Sequence, residues 1–347
     1  MAAKKNDNSA YLQLRKDLKA GTPGQLYVFH GEEKYRLEES LSALRRLLVP
    51  EGMEEFNYRT FSGKDLDVGE LVSAMDNLPM MSDRTLIQVT DFDLFGCAES
   101  KKEMLTRAFE DLPDYLCLVF VYDVLDYKIG RGKFQELVKK KGSIVDFMPA
   151  DRNDLLDWIR RRFRELDKDI DDREGEYLIF LCGGLMTGLK TEIEKIASYA
   201  KGVQITRQDI DAVAEPVLEA RVFDMTDAVG GRNFGQGLRV LSELYGLDQD
   251  PIMILAILGK HLRQLYTARL ALESGKGAPA LMEMWNMKTS WQANKLMRCA
   301  RNCDLGWCRQ AVRLAGEADL AMKSTGRERK EVLTELMLRL ANGGAGC

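Results

Sequence analysis

The segment His30-Gly31-Glu32-Glu33-Lys34-Tyr35-Arg36-Leu37 stands where a phosphate site would be built, directly after a short apolar run and directly before a helical pattern. Holding a nucleoside triphosphate there needs GxxxxGK[ST]. The glycines let backbone N–H groups wrap the phosphates, and the Lys with its Ser or Thr meets phosphate and magnesium. This segment offers one glycine, two carboxylates in the turn, and no Lys-Ser or Lys-Thr pair at the helix start. Glu32 and Glu33 beside a triphosphate would repel it by on the order of several kcal/mol in a partly desolvated site. Asp91 closes the run Leu86-Ile87-Gln88-Val89-Thr90 but lacks the following glutamate that would activate water. It reads as a turn former or a helix cap. The place for ATP chemistry exists, and the residues for it do not.

Apolar recognition is the second kind of chemistry on offer. Leu78-Pro79-Met80-Met81 comes after an amphipathic helix ending near Asp76, and Pro79 cannot continue that helix, so the chain must turn and display the next side chains. Two adjacent unbranched thioethers adapt well to a partner's pocket, each contributing about 1.5–3 kcal/mol if fully buried. The residues alone leave a second reading open, in which Met80 and Met81 cap the core beneath the next strand. Arg84 either frames this site or only forms a local salt bridge. Phosphate recognition is the third. Lys288, Lys295, Arg298, Arg301, Arg309 and Arg313 face only Asp304 in their stretch, and Trp291 and Trp307 lie among them. Lys295, Arg298 and Asn302 share a helix face. With Lys323 and Arg327 they are candidates for contacting nucleic acid, or else form a solvated face. Cys299, Cys303 and Cys308 have no fourth ligand nearby, and His30 and His261 are the only histidines, so small core residues explain the thiols better than a metal site. No catalytic residue, cofactor site or metal site is expected.

The elements that must position these residues alternate over the first part of the chain. Leu26–Phe29, Phe56–Phe61, Thr85–Val89, Leu116–Val121 and Ser143–Phe147 read as strands, separated by helical spacing at 32–48, 66–75, 101–109 and 134–138, with a leading helix at 11–18. That alternation implies a parallel sheet, and the continuous Leu116-Cys117-Leu118-Val119-Phe120-Val121 implies a central strand covered on both faces. After Met148-Pro149 the pattern is helical, with Asp151 or Asn153 and Thr206 as caps and a break at Gly183-Gly184. Beyond Pro216 come long amphipathic helices near 219–230, 232–245, 250–274, 289–302, 306–323 and 327–341, and then a frayed tail from Gly343 to Cys347. The expected domains are 1–148, 149–215 and 216–347.

Composition sets outer limits. A chain of 347 residues with 45% apolar and 30% charged residues suits a folded protein of two or three domains. The net charge of −4 is uneven: residues from Pro216 onward carry 18 Lys/Arg against 14 Asp/Glu, which leaves the front acidic. An acidic front argues against nucleic acid covering the whole surface. Seven scattered cysteines and no apolar run long enough to span a bilayer fit a cytoplasmic protein with free thiols, away from any membrane.

A parallel sheet followed by a helical domain is how an AAA+ ATPase reads, and four segments narrow that resemblance. Leu26-Tyr27-Val28-Phe29-His30-Gly31-Glu32-Glu33, Asn77-Leu78-Pro79-Met80-Met81-Ser82-Asp83-Arg84-Thr85-Leu86-Ile87, Thr191-Glu192-Ile193-Glu194-Lys195-Ile196 and Asp319-Leu320-Ala321-Met322-Lys323-Ser324 occur in order. Together they resemble the delta subunit of the bacterial DNA polymerase III clamp loader over nearly the whole chain. One departure is that both members of the hydrophobic pair are Met, where that family commonly includes Phe. The arginine-finger sequence Ser-Arg-Cys of related loaders is also absent. The resemblance implies an AAA+-like domain without a working P-loop (1–148), a helical lid (149–215) and a helical collar (216–347). It further implies a non-catalytic subunit that binds and opens the sliding clamp (beta) through Leu78, Pro79, Met80, Met81 and Arg84. Its other partners would be the tau/gamma and delta prime subunits, whose ATP would control exposure of this surface, and primed DNA through the assembled complex. The competing expectation is an active AAA+ nucleic-acid-remodelling ATPase with a divergent nucleotide site.

Overall fold

In the computed structural model, which describes residues 8–63, 66–287 and 289–342, the alternation becomes a five-stranded parallel sheet. Lys288 of the basic stretch, Cys347 and the expected C-terminal tail lie outside those residues. Contacts divide the chain into two units: residues 1–150 with 185–187, and residues 151–184 with 188–347.

The first unit runs α1 (Ser9–Ala20), β1 (Leu26–His30), α2 (Lys34–Leu48), α3 (Glu54–Asn57), β2 (Tyr58–Ser62), α4 (Val68–Met75), β3 (Thr85–Thr90), α5 (Glu99–Glu110), β4 (Leu116–Val121), α6 (Lys133–Lys141) and β5 (Ser143–Asp146). The strand order is β2-β3-β4-β1-β5, all neighbours parallel. The inner strands are apolar on both sides because both faces are covered. Leu26, Val28, Ile87, Val89, Leu118 and Phe120 pack toward Leu71, Met75, Leu105 and Phe109, while the alternate residues Tyr27, Phe29, Leu86, Val119 and Val145 pack toward Leu14, Leu37 and Leu44. At about 25 cal/mol per Å² of apolar area, these two half-cores dominate the stability of the unit.

One strand starts later than its pattern predicts. The alternation begins at Phe56, yet residues 54–57 form a helical turn in which the N–H groups of Phe56 and Asn57 both donate to Met53 O, and β2 begins at Tyr58. Asn disfavours the extended strand and tolerates turns, which is the local reason.

The second unit contains α7 (Arg152–Arg164), α8 (Asp172–Cys182), α9 (Met186–Tyr199), α10 (Arg207–Val213), α11 (Leu218–Gly230), α12 (Phe234–Gly246), α13 (Pro251–Glu273), α14 (Ala278–Trp285), α15 (Ser290–Arg301), α16 (Leu305–Ser324) and α17 (Arg329–Asn342). Of the two cap candidates it is Asp151 that accepts from Asn153 and Asp154 N–H, and Thr206 with Asp209 completes a capping box. Helix α14 has no counterpart in the sequence reading, because Gly275, Gly277 and Pro279 read as a loop. The structure uses Pro279 in the first turn, where its missing N–H costs nothing. Residues 151–215 and the later helices are not separate compact bodies: Phe180 meets Phe223 edge-on at 5.1 Å and Trp291 at 4.4 Å. Ile254, Leu258, Leu262 and Leu265 are all buried inside this unit, so α13 is its internal spine. None of the helices is long and apolar enough to cross a membrane among the described residues.

Candidate functional site

The loop from Asp76 to Arg84 is irregular but tightly held. Asn57, 1% exposed, brackets the Met80 peptide: its Nδ2 donates to Met80 O at 2.7 Å, and its Oδ1 accepts from Met80 N–H at 2.8 Å. Ser82 Oγ donates to Leu48 O at 3.1 Å, and the Tyr115 hydroxyl donates to Asp76 O at the same distance. Arg84 donates to the carbonyls of Pro23, Gly24 and Leu116 at 2.5–3.0 Å. Met81 lies in the left-handed region at φ 51°, a conformation costing about 1–2 kcal/mol for a non-glycine residue and kept only where surroundings fix it.

The side chains on this fixed backbone point outward. Leu78 is 76% exposed, Met80 50% and Met81 81%, with Pro79 partly buried between them. The methionines therefore do not cap the core beneath β3; Leu86 and Ile87 of the strand itself fill that place. Arg84 is in no ion pair among the described residues, so the local salt bridge expected for it is not what holds it. Its guanidinium is committed to backbone carbonyls, and it positions the loop rather than offering a free cation. Pattern reading missed Asn57, whose only signal was a strand-disfavouring residue at the start of an otherwise strand-like run.

The turn after β1 is filled from within the first unit, to which residues 185–187, with the start of α9, belong. Glu33 is fully buried; its N–H donates to Phe147 O at 2.8 Å, and its carboxylate accepts from Met186 N–H at 3.2 Å. Gly31, at φ 132°, lies so close to β5 that a Cβ would meet Phe147 O at 2.5 Å. Lys34 Nζ donates to the carbonyls of Tyr122 and Asp123 at 2.9 and 2.7 Å and pairs with the Asp123 carboxylate at 3.3 Å. Asp91 Oδ1 accepts from the N–H groups of Asp123, Val124 and Leu125 at 2.8–3.0 Å. Burial pushes the Asp91 carboxyl up, but these three donors and Lys34 outweigh it, and its pKa ends below the usual range. Asp91 is thus a turn former, as its position suggested. His30 stacks on Tyr127 at 3.7 Å beside a cavity of about 590 Å³, and burial lowers its pKa despite nearby Asp146. The charged groups of this turn, Glu33, Lys34 and Asp91, are all engaged by the protein's own backbone.

The basic candidates are largely paired. Lys295 binds Asp224 at 2.8 Å and Asp227 at 3.5 Å, with its ammonium over the rings of Phe223 and Trp291. Lys323 pairs with Asp319, and Arg327 with Glu335, both at 2.7 Å. Arg298 is exposed and in no ion pair among the described residues. Cys303 and Cys308 are buried, with Cys299 packed against them, in one core of the second unit.

The comparisons with known proteins agree with this layout. A family model described as DNA polymerase III, delta subunit matches residues 27–147, and one described as DNA polymerase III delta subunit, C-terminal domain matches residues 219–340. Between them they span most of the chain. It belongs to the DNA polymerase III delta subunit family. Among delta relatives, DNA polymerase III subunit delta of Bacillus subtilis is 24% identical over 334 residues, covering 93% of this chain and 94% of that protein. The probable delta subunit of Aquifex aeolicus is 25% identical over 279 residues, covering 77% of each. The solved Bacillus subtilis clamp loader delta protein shares the fold at a TM-score of 0.50 and 20% identity, covering 95% of this chain and 99% of that one. The delta assignment expected from the sequence stands, and so does the parallel five-stranded sheet followed by helices.

Proposed function

We propose that this delta-family chain binds the sliding clamp through Leu78, Met80 and Met81 and favours its open form, with no nucleotide chemistry of its own. The observation that carries the reading is the pairing of three exposed apolar side chains with a backbone fixed by Asn57, Ser82 and Arg84. A loop ordered before binding loses little conformational entropy on docking, so more of the burial energy appears as affinity. Opening results if the loop binds the open ring more tightly than the closed one, since a ligand shifts a conformational equilibrium only by its differential affinity.

In this reading the sheet-containing part (1–148) acts on the clamp, 149–215 is a lid, and 216–347 joins a collar with the tau/gamma and delta prime subunits. Leu320 and Leu338, 66% and 49% exposed, suit a collar contact better than the buried face of α13. Of Lys295, Arg298, Lys323 and Arg327, only Arg298 lacks an ion pair among the described residues, and it is the one retained for primed DNA in the assembled loader. Glu33, Lys34 and Asp91 are occupied as described, which disfavours the ATPase alternative.

The test places a fluorophore pair across the subunit interface of the clamp from the same organism and adds the purified chain without ATP. Dequenching that saturates with chain concentration is expected. Binding with no change in signal would refute the opening role.

A further inference from the structure

Two more exposed apolar residues adjoin the docking loop. Leu47, at the end of α2, is 41% exposed, and Phe56, in α3, is 52% exposed. Each sits one residue from a bond that ties the loop down: Ser82 Oγ to Leu48 O, and Asn57 to the Met80 peptide. Leu47, Phe56, Leu78, Met80 and Met81 therefore fall on three segments bonded to one another. Single exposed apolar residues need no explanation, but here five fall on segments that hydrogen bonds hold side by side. Phe56 leaves half of a large aromatic side chain in water beside the buried Asn57, and aromatic residues are enriched among binding hot spots.

The surroundings of this patch are acidic. Glu51, Glu54, Glu55, Asp76 and Asp83 lie on the same three segments, and none is in an ion pair among the described residues. The nearby cations are Arg45, Arg46, Arg59 and Arg84; Arg45 is engaged over the Tyr58 ring at 4.9 Å, and Arg84 is bonded to backbone carbonyls.

We infer that Leu47 and Phe56 extend the clamp contact into one apolar surface with an acidic rim, and that the clamp meets it with an apolar groove flanked by Lys or Arg. This rests on the clamp-binding reading above. The rim then steers encounter, and that contribution falls with ionic strength, whereas the apolar centre governs dissociation.

The experiment is a surface-binding measurement against immobilised sliding clamp at low and high salt, with melting curves for each variant. Phe56→Ala is expected to weaken binding roughly tenfold, mainly through faster dissociation, with unchanged melting. The variant Glu51→Gln/Glu54→Gln/Glu55→Gln is expected to slow association by roughly three- to tenfold at low salt and to flatten the salt dependence. Normal binding by Phe56→Ala, alongside weak binding by Met80→Ala/Met81→Ala, overturns the extension and leaves the clamp reading standing. An unaltered salt dependence in the Glu variant overturns the acidic rim. Normal binding by the Met variant as well brings down the underlying reading.

Discussion

Replacing Asn57 by Asp changes one atom of the bracket around Met80. The new carboxylate still accepts from Met80 N–H, but where Nδ2 donated to Met80 O at 2.7 Å an oxygen now faces an oxygen. Because Asn57 is 1% exposed, solvent does not relieve that contact. Losing the donor leaves a carbonyl unpaired and costs about 1–3 kcal/mol of stability. Freeing roughly one backbone residue of the loop adds about 1–2 kcal/mol of entropy to be lost on docking, while Ser82 and Arg84 keep their bonds. Clamp affinity is therefore expected to fall about five- to thirtyfold. The assay pairs clamp binding with hydrogen exchange at the Met80 amide. Protonating the introduced carboxyl restores a donor to Met80 O, so affinity should recover partly as pH is lowered through the carboxyl range, which a purely structural defect would not show. Clamp binding unchanged within about twofold while the Met80 amide exchanges faster would refute the claim that loop order contributes to affinity.

The isolated chain should bind no ATP at millimolar concentration, and calorimetric titration of wild type and Lys34→Ala should be equally flat. Saturable magnesium-dependent binding abolished by that substitution would reverse the reading of the turn after β1. His261 is wholly buried with neither ring nitrogen hydrogen-bonded among the described residues, and burial lowers its pKa to about 4. The unfolded chain takes up that proton near pH 6.5 and the folded chain does not, so this contribution to stability is complete above about 6.5 and is lost as pH falls toward 4. The loss reaches roughly 3 kcal/mol. Denaturant midpoints measured across that range should slope in wild type and flatten in His261→Phe, and equal slopes would exclude His261 as the cause.

Features governed by local physics were legible in the residues alone. The inner strands were readable because a parallel sheet covered on both faces demands unbroken apolar runs, and Leu116–Val121 could hardly be anything else, whereas β2 showed only an alternation that began too early. The absent phosphate cradle was readable because the chemistry needs particular residue types in sequence. Display of the methionines was readable in outline from Pro79, but their exposure was not, since a Met beside a strand serves a core equally well. Asn57 stayed hidden because its bond to Met80 joins residues 23 apart, and only the folded chain brings them together. The same limit kept the partners of the cations out of view. Lys295 has no acidic residue on its own helix, and its partners Asp224 and Asp227 come from α11. The compact joining of 151–184 with the later helices likewise depends on Phe180 meeting Phe223 and Trp291, a tertiary contact with no sequence signature.

The affinity of Met80→Ala/Met81→Ala for the sliding clamp, measured beside its melting temperature, tests the central claim most directly. Met80 and Met81 are 50% and 81% exposed, so docking can bury somewhat more than one whole methionine side chain between them. That amounts to about 2–4 kcal/mol, or roughly thirty- to a thousandfold in affinity. A loss in that range is expected, with melting shifted by no more than about 2 °C, because neither side chain supports the core. A variant that melts early yet binds the clamp normally once folded would contradict it.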